Sequence, residues 1–182
     1  NSIRITGFGS FDLEYLSSLD LSLETQRWLF MAFFFAFAIK APLVPLHSWL
    51  PDAAGSSTPT VAVLLIGILD KVGTYGMLRF LLPMFPEASV ELAPVALTLA
   101  VLSIFYGAIM AIGSRDIKRL MAYVSISHFG FIVLGIFAFT TQGISGSMFY
   151  MLSHGLSTAA LFLAAGYLMQ RTQSSKIDDH AG

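Results

Sequence analysis

The chain has 182 residues, 55% of them hydrophobic and only 12% charged, and its mean hydropathy is +0.74. Soluble domains carry about twice that share of charge, so the composition points to a membrane protein and away from a soluble enzyme domain. Ten Lys+Arg against eleven Asp+Glu imply no nucleic-acid-binding surface, and zero cysteines exclude disulfides, thiolate zinc sites and cysteine-ligated iron–sulfur clusters within the chain.

No secretory signal pattern opens the sequence and Asn1 is not an initiator methionine, so an internal piece of a longer protein is expected. Residues 1–26 mix Gly7, Gly9 and Ser10 with acids and leucines and read as an extramembrane loop, with room for a short surface helix. Trp28 to Leu50 is long enough to cross a bilayer but is interrupted by Lys40, Pro42 and Pro45. Proline removes a donor and clashes with the preceding turn, so this span should break within residues 38–46, with Lys40 beside the break and turned inward.

Four more apolar spans follow: Pro59 to Leu82, Ala93 to Ile112, Ile117 to Thr140 and Ile144 to Met169. Thr58 is placed to cap the first of these and Pro59 to open it. Gly67, Gly73, Gly76 and Gly107 read as helix-contact positions. In the run Phe33-Phe34-Phe35, the rings should face lipid or pack. The chain turns polar from Arg171. The division is an extramembrane loop over 1–26, a transmembrane helical module over 27–170, and a polar segment over 171–182.

Spans in lipid must be helices, because nothing there satisfies an open strand. The fold class is therefore all-α and polytopic, with about five transmembrane helices, the first discontinuous. The loops after spans one, three and five hold Arg115, Lys118, Arg119, Arg171 and Lys176, whereas the other side holds Arg4, Arg27 and Arg79. The excess assigns the Arg115–Arg119 loop to the cytoplasmic side of the membrane. Asp116 is favourably placed at a helix N-terminus there.

The chemistry concentrates where charge meets apolar sequence. A lysine at the bilayer centre costs about 3 kcal/mol or more, so such residues usually face a water-filled path or a partner. Lys40 lies about a dozen residues into its span, beside a break that frees carbonyls for water or a cation. Lys71 falls roughly halfway along its span. Asp70, next to it, points about 100° away around the helix and is a possible charge partner. His128 and His154 sit among small hydroxyl residues, and histidine titrates near neutrality, so both are candidates for passing protons. A packing histidine is the plainer alternative for each. His47, near Trp49, reads as an interfacial anchor. No two histidines have helical metal-ligand spacing.

Two stretches carry a family resemblance. Residues 39–53, from Ile39-Lys40-Ala41-Pro42 through His47-Ser48-Trp49-Leu50-Pro51-Asp52, resemble the broken-helix motif of antiporter-like subunits. Residues 115–130, from Arg115-Asp116-Ile117-Lys118-Arg119 through Ser127-His128-Phe129-Gly130, resemble their second signature. These subunits belong to respiratory complex I, the proton-pumping NADH:quinone oxidoreductase, and are related to multi-subunit cation/proton antiporters. Phe105-Tyr106-Gly107-Ala108 and Lys71-Val72-Gly73-Thr74-Tyr75-Gly76 fit one branch of the family.

The resemblance implies a fold of fourteen helices with two inverted five-helix repeats, of which this chain would hold roughly the middle third. It implies that Lys40 matches the lysine of the broken helix, Lys71 the central lysine, and His128 and His154 polar residues of a proton axis. It further implies no cofactor in this chain, with NADH, flavin, iron–sulfur clusters and quinone in partner subunits. The implied partners are other membrane-arm subunits, lipid, protons and water. Two departures stand out: Asp70 occupies a usually apolar position, and Ala54-Gly55-Ser56-Ser57 replaces a stretch that often has His and Glu. The reading is a proton-translocating subunit of an oxidoreductase whose redox chemistry lies elsewhere. The alternatives are a sodium/proton antiporter subunit and a purely structural membrane scaffold.

Overall fold

In the computed structural model, which describes residues 12–180, every regular element is helical apart from a lone bridge pairing Asp116 with Lys176. The Asp12 carboxylate accepts from Glu14 N–H at 3.3 Å and starts α1 (Leu13–Ser17), the short helix expected in the N-terminal segment. Residues 1–11 of that segment lie outside the described residues. Helix α2 (Leu23–Lys40) begins a turn before the expected boundary at residue 27.

The break is where proline chemistry places it, shifted slightly along the chain. Helix α2 runs through Lys40, and residues 41–48 are irregular before α3 (Trp49–Ser56) resumes. Pro42 and Pro45 have no N–H to give. Val44 N–H, which would serve Lys40 O in an unbroken helix, donates instead to Ser103 Oγ at 2.9 Å. Trp49 Nε1 donates to Ile39 O at 2.9 Å and ties α3 back to the end of α2.

Helix α4 (Pro59–Met84) starts as its sequence suggested: the Thr58 hydroxyl accepts from Val61 N–H at 3.5 Å and Pro59 occupies the first turn. It contains two π-helical stretches, Leu65–Leu69 and Met77–Leu81, which no sequence pattern announced. Helix α5 (Pro86–Ile112) begins well before the expected Ala93, because Pro86 suits a first turn and the helix tolerates Pro94 inside it. Helix α6 (Ile117–Phe137) is capped by the Asp116 carboxylate, which accepts from Arg119 N–H at 3.0 Å. Helix α7 (Thr141–Thr172) is capped by Thr140 and ends at Gln173, whose φ of 57° is left-handed.

Helices α4 to α7 are each long and apolar enough to cross a membrane. Helices α2 and α3, with the break between them, make the fifth and discontinuous crossing. Helix α6 is the most enclosed: 61% of its most apolar stretch is buried, against 28% for α5 and 22% for α7. It packs on two apolar clusters. Phe30, Phe34, Met77 and Phe137 mark the first, and Leu50, Ile66, Met121 and Phe162 the second. Phe34 is buried whereas Phe33 and Phe35 are exposed, so the triple-phenylalanine run serves both core and surface.

The polar loops gather at two ends. At one, Arg119 pairs with Asp52, and Lys118 Nζ donates to Gly55 O at 2.5 Å and Ser57 O at 3.1 Å. The segment after α7 folds onto the same end, with Ile117 N–H donating to Ser175 O and Ile177 N–H to Arg115 O, each at 2.9 Å. At the opposite end Arg27 forks onto Glu91 at 2.5 and 2.8 Å. The loops after crossings one, three and five therefore share an end, as the alternation of crossings requires.

Candidate functional site

The first π-helical stretch of α4 ends at Asp70, whose N–H donates to Leu65 O at 3.2 Å, five residues back. Such insertions rotate the residues that follow them, and they occur often at functional sites. Asp70 and Lys71 emerge on different faces. Asp70 shares the buried face of Gly73, Thr74 and Met77. Gly73 places that face against α2, because a Cβ there would lie 2.5 Å from Ala41 N and 2.7 Å from Phe37 O.

Lys71 turns the other way, towards α6 and α7. Its ammonium donates to Ile66 O and lies 5.2 Å from the centroid of the Phe129 ring, a cation–π distance. Gly155 lets α7 come close here: a Cβ on it would stand 2.8 Å from Gly67 O and 3.6 Å from Lys71 Cε. Lys71 also lines a cavity of about 500 Å³ between α4 and α7, with Gly67, Tyr75, Met151 and Leu156.

His154 is buried, and neither ring nitrogen has a hydrogen-bond partner among the described residues. Its ring centroid is 5.4 Å from that of Phe129 and 5.1 Å from that of His128. His128 in turn stacks on Tyr150 at 5.6 Å, and its Nδ1 is 3.0 Å from Tyr150 Oη. Three helices thus align Lys71, His154, His128 and Tyr150 in that order. Sequence reasoning named the first three and missed the tyrosine. A signal was present, since Tyr150 precedes His154 by four residues and so shares its face of α7.

Lys40 does not join this row. It stands beside the break as expected, but its side chain is exposed on this chain, with Nζ 5.7 Å from the Trp49 ring centroid. Ala38 and Ala41 take the inward positions around it, so the inward turn expected of Lys40 does not occur within these residues. Pro42 is buried and Pro45 exposed. His47 also differs from expectation: it is buried, with its ring edge-on to Tyr106 at 4.6 Å, because the break folds under α5.

Asp70 is fully buried and neither carboxylate oxygen has a hydrogen-bond partner among the described residues. The charges that act on it are those of Lys71 and Lys40, without a contact ion pair to either. Among the described residues no three His, Cys, Asp or Glu side chains cluster to hold a metal ion. The arrangement suits proton movement. Imidazole and phenol groups both donate and accept, and an amine can release a proton.

Comparisons with known proteins fit this geometry. Residues 4–182 match the family model described as NADH:quinone oxidoreductase/Mrp antiporter, TM. NADH-quinone oxidoreductase subunit M of Mycobacterium tuberculosis is 60% identical over 154 residues, 85% of this chain and 28% of that protein. A chain of respiratory complex I from Thermus thermophilus superposes with TM-score 0.89 at 38% identity, over 97% of this chain and 38% of that one. A chain of the Mrp complex from Dietzia sp. DQ12-45-1b superposes with TM-score 0.78 at 28% identity, over 91% and 31%. The chain spans about a third of the length of the curated relatives it matches.

Proposed function

Because the chain belongs to the NADH:quinone oxidoreductase/Mrp antiporter transmembrane family, we propose that it is a proton-conducting part of the membrane arm of an NADH:quinone oxidoreductase. Residues 27–170 form the conducting module, and residues 1–26 and 171–182 lie outside the membrane. The observation that carries this reading is the row Lys71, His154, His128 and Tyr150, held by three helices inside an apolar bundle. A proton entering at Lys71 passes through water to His154, then to His128 and Tyr150. NADH, flavin, iron–sulfur clusters and quinone belong to partner subunits. Redox events there change the charge near this row, and a neighbouring charge changes which group holds the proton.

The test is proton uptake and NADH oxidation in inverted vesicles carrying the complete complex. His154→Leu should assemble, because among the described residues His154 makes no hydrogen bond that leucine would forfeit. It should lower proton uptake per NADH oxidised severalfold. His128→Leu should act in the same direction. Full uptake in both assembled variants would remove the relay and leave the scaffold reading. Likeness to the Mrp chain favours sodium/proton exchange as the second reading. Sodium-dependent exchange without NADH oxidation in purified complex would select it.

The orientation follows from the shared end of the basic loops. The Arg115–Arg119 loop, Asp52 and Arg171 face the cytoplasm, across the multi-pass inner membrane from Glu87 and Glu91. The chain has no cysteine, so single-cysteine labelling is clean within it. A membrane-impermeant maleimide should modify Ser56→Cys in inverted vesicles only and Glu87→Cys in intact spheroplasts. The opposite pattern would reverse the assignment.

A further inference from the structure

We propose that Asp70 carries protons between the broken segment beside Lys40 and the ammonium of Lys71, a role that rests on the proton-conducting reading above. The placement comes from how α4 packs on α2. Gly73 abuts Ala41 N and Phe37 O, and Gly76 abuts the Phe37 ring. The two helices are therefore antiparallel, and moving one turn back from Gly73 along α4 moves forward along α2 into residues 41–48. Asp70 occupies that level, opposite the break.

The break offers the group something to exchange with. Val44 N–H is diverted to Ser103 Oγ and Pro45 has no N–H, so Lys40 O and Ala41 O lose their helical donors. Freed carbonyls of this kind hold water in membrane interiors. On the other side Lys71 adjoins Asp70 in sequence, and its ammonium rests on a neutral carbonyl, Ile66 O, not on a carboxylate.

The carboxyl group itself is unlike a structural one. Asp70 is 0% exposed, and both oxygens lack a hydrogen-bond partner among the described residues. A buried carboxyl that held helices together would be paired, because an unpaired one is costly. The cations whose charges reach it are Lys71 and Lys40. The transfer balances with these groups alone. The Lys40 ammonium gives a proton through water to the Asp70 carboxylate, leaving a neutral amine and a carboxylic acid. The acid then gives that proton to the neutral amine of Lys71, restoring the carboxylate. No other reactant is consumed.

The experiment uses Asp70→Asn, Asp70→Leu and Asp70→Glu in the complete complex, read by native gel and by proton uptake and NADH oxidation in inverted vesicles. Asp70→Asn and Asp70→Leu should assemble and lower proton uptake per NADH oxidised severalfold. Asp70→Glu should recover most of it, which a purely packing role would not produce, since glutamate fits the site worse than asparagine. If asparagine prevents assembly, the leucine variant carries the measurement. Failure of both to assemble would make Asp70 a structural residue and overturn the proposal, as would normal uptake in either assembled variant. Lys71→Ala measured alongside separates the two levels. Normal uptake there defeats the proton-conducting reading itself, whereas a defect there beside normal uptake in Asp70→Asn defeats only the role of Asp70.

Discussion

Replacing Lys71 with alanine should leave the subunit in its complex and abolish most proton translocation, with coupled NADH oxidation falling in parallel. The side chain is half-buried, and its bonded partner is the single carbonyl of Ile66. Alanine has the highest helix propensity and removes an ammonium held away from water, so the helix loses little. The row of proton carriers loses its first member and the only one close to both the cavity and Phe129. Lys71→Arg should also be impaired even though it keeps the charge, because a guanidinium effectively never releases its proton. The complication is Asp70, which in the alanine variant loses one of the two cations acting on it. The double variant Asp70→Asn/Lys71→Ala resolves this. If Lys71 were structural, the double change would restore both assembly and pumping. Pumping absent whenever Lys71 is absent, with assembly intact on a native gel, is the outcome the conducting role requires.

Gly107→Leu should sharply reduce assembly although it lies away from the proton row. Gly107 lies where α5 crosses α6, and a Cβ there would stand 2.6 Å from Ser127 N and 2.8 Å from Tyr123 O. Both are backbone atoms of a helix packed on both sides, so neither can move aside without shifting α6. Overpacking of this kind costs about 3 kcal/mol. That is a large part of a domain's marginal stability, and His128 rides on the displaced segment. The variant should be depleted from the complex on a native gel, with residual NADH oxidation tracking the assembled fraction. Gly146→Leu is the control, since among the described residues nothing lies within 4 Å of a Cβ at that position. It should assemble normally, and an equal loss in both variants would refute the packing explanation.

Much of this protein is local and therefore legible in the sequence. Crossing helices follow from apolar length, because lipid leaves a backbone no alternative to its own hydrogen bonds. The start of α4 at Thr58-Pro59, the cap at Asp116 and the break at Pro42 and Pro45 each depend on one residue acting on its neighbours within a turn. Lys71, His128 and His154 stood out because ionisable groups are rare in apolar runs. Their proximity could not be read, because they lie on three helices separated by up to 83 positions.

What only the tertiary structure decided is which way these side chains face and what they meet. The π-helical stretch before Asp70 shifts the face of everything after it, and the Gly67 inside it is no signature, since Gly107 stands within the ordinary helix α5. Tyr150 entered the row because α7 leans on α6 through close approach, not because tyrosine is unusual in a membrane helix. Lys40 illustrates the reverse. Its depth in an apolar span was plain, but on this chain Ala38 and Ala41 take the inward positions at the end of α2 and leave Lys40 exposed. His47 was buried by the fold of the break under α5, a contact between segments about 60 residues apart that no local pattern encodes. Composition and local chemistry determine how many helices form and where they stop. The rotation and tilt of one helix against another follow from side-chain volumes meeting across the whole chain, and that rotation brings lysine, histidines and tyrosine into line.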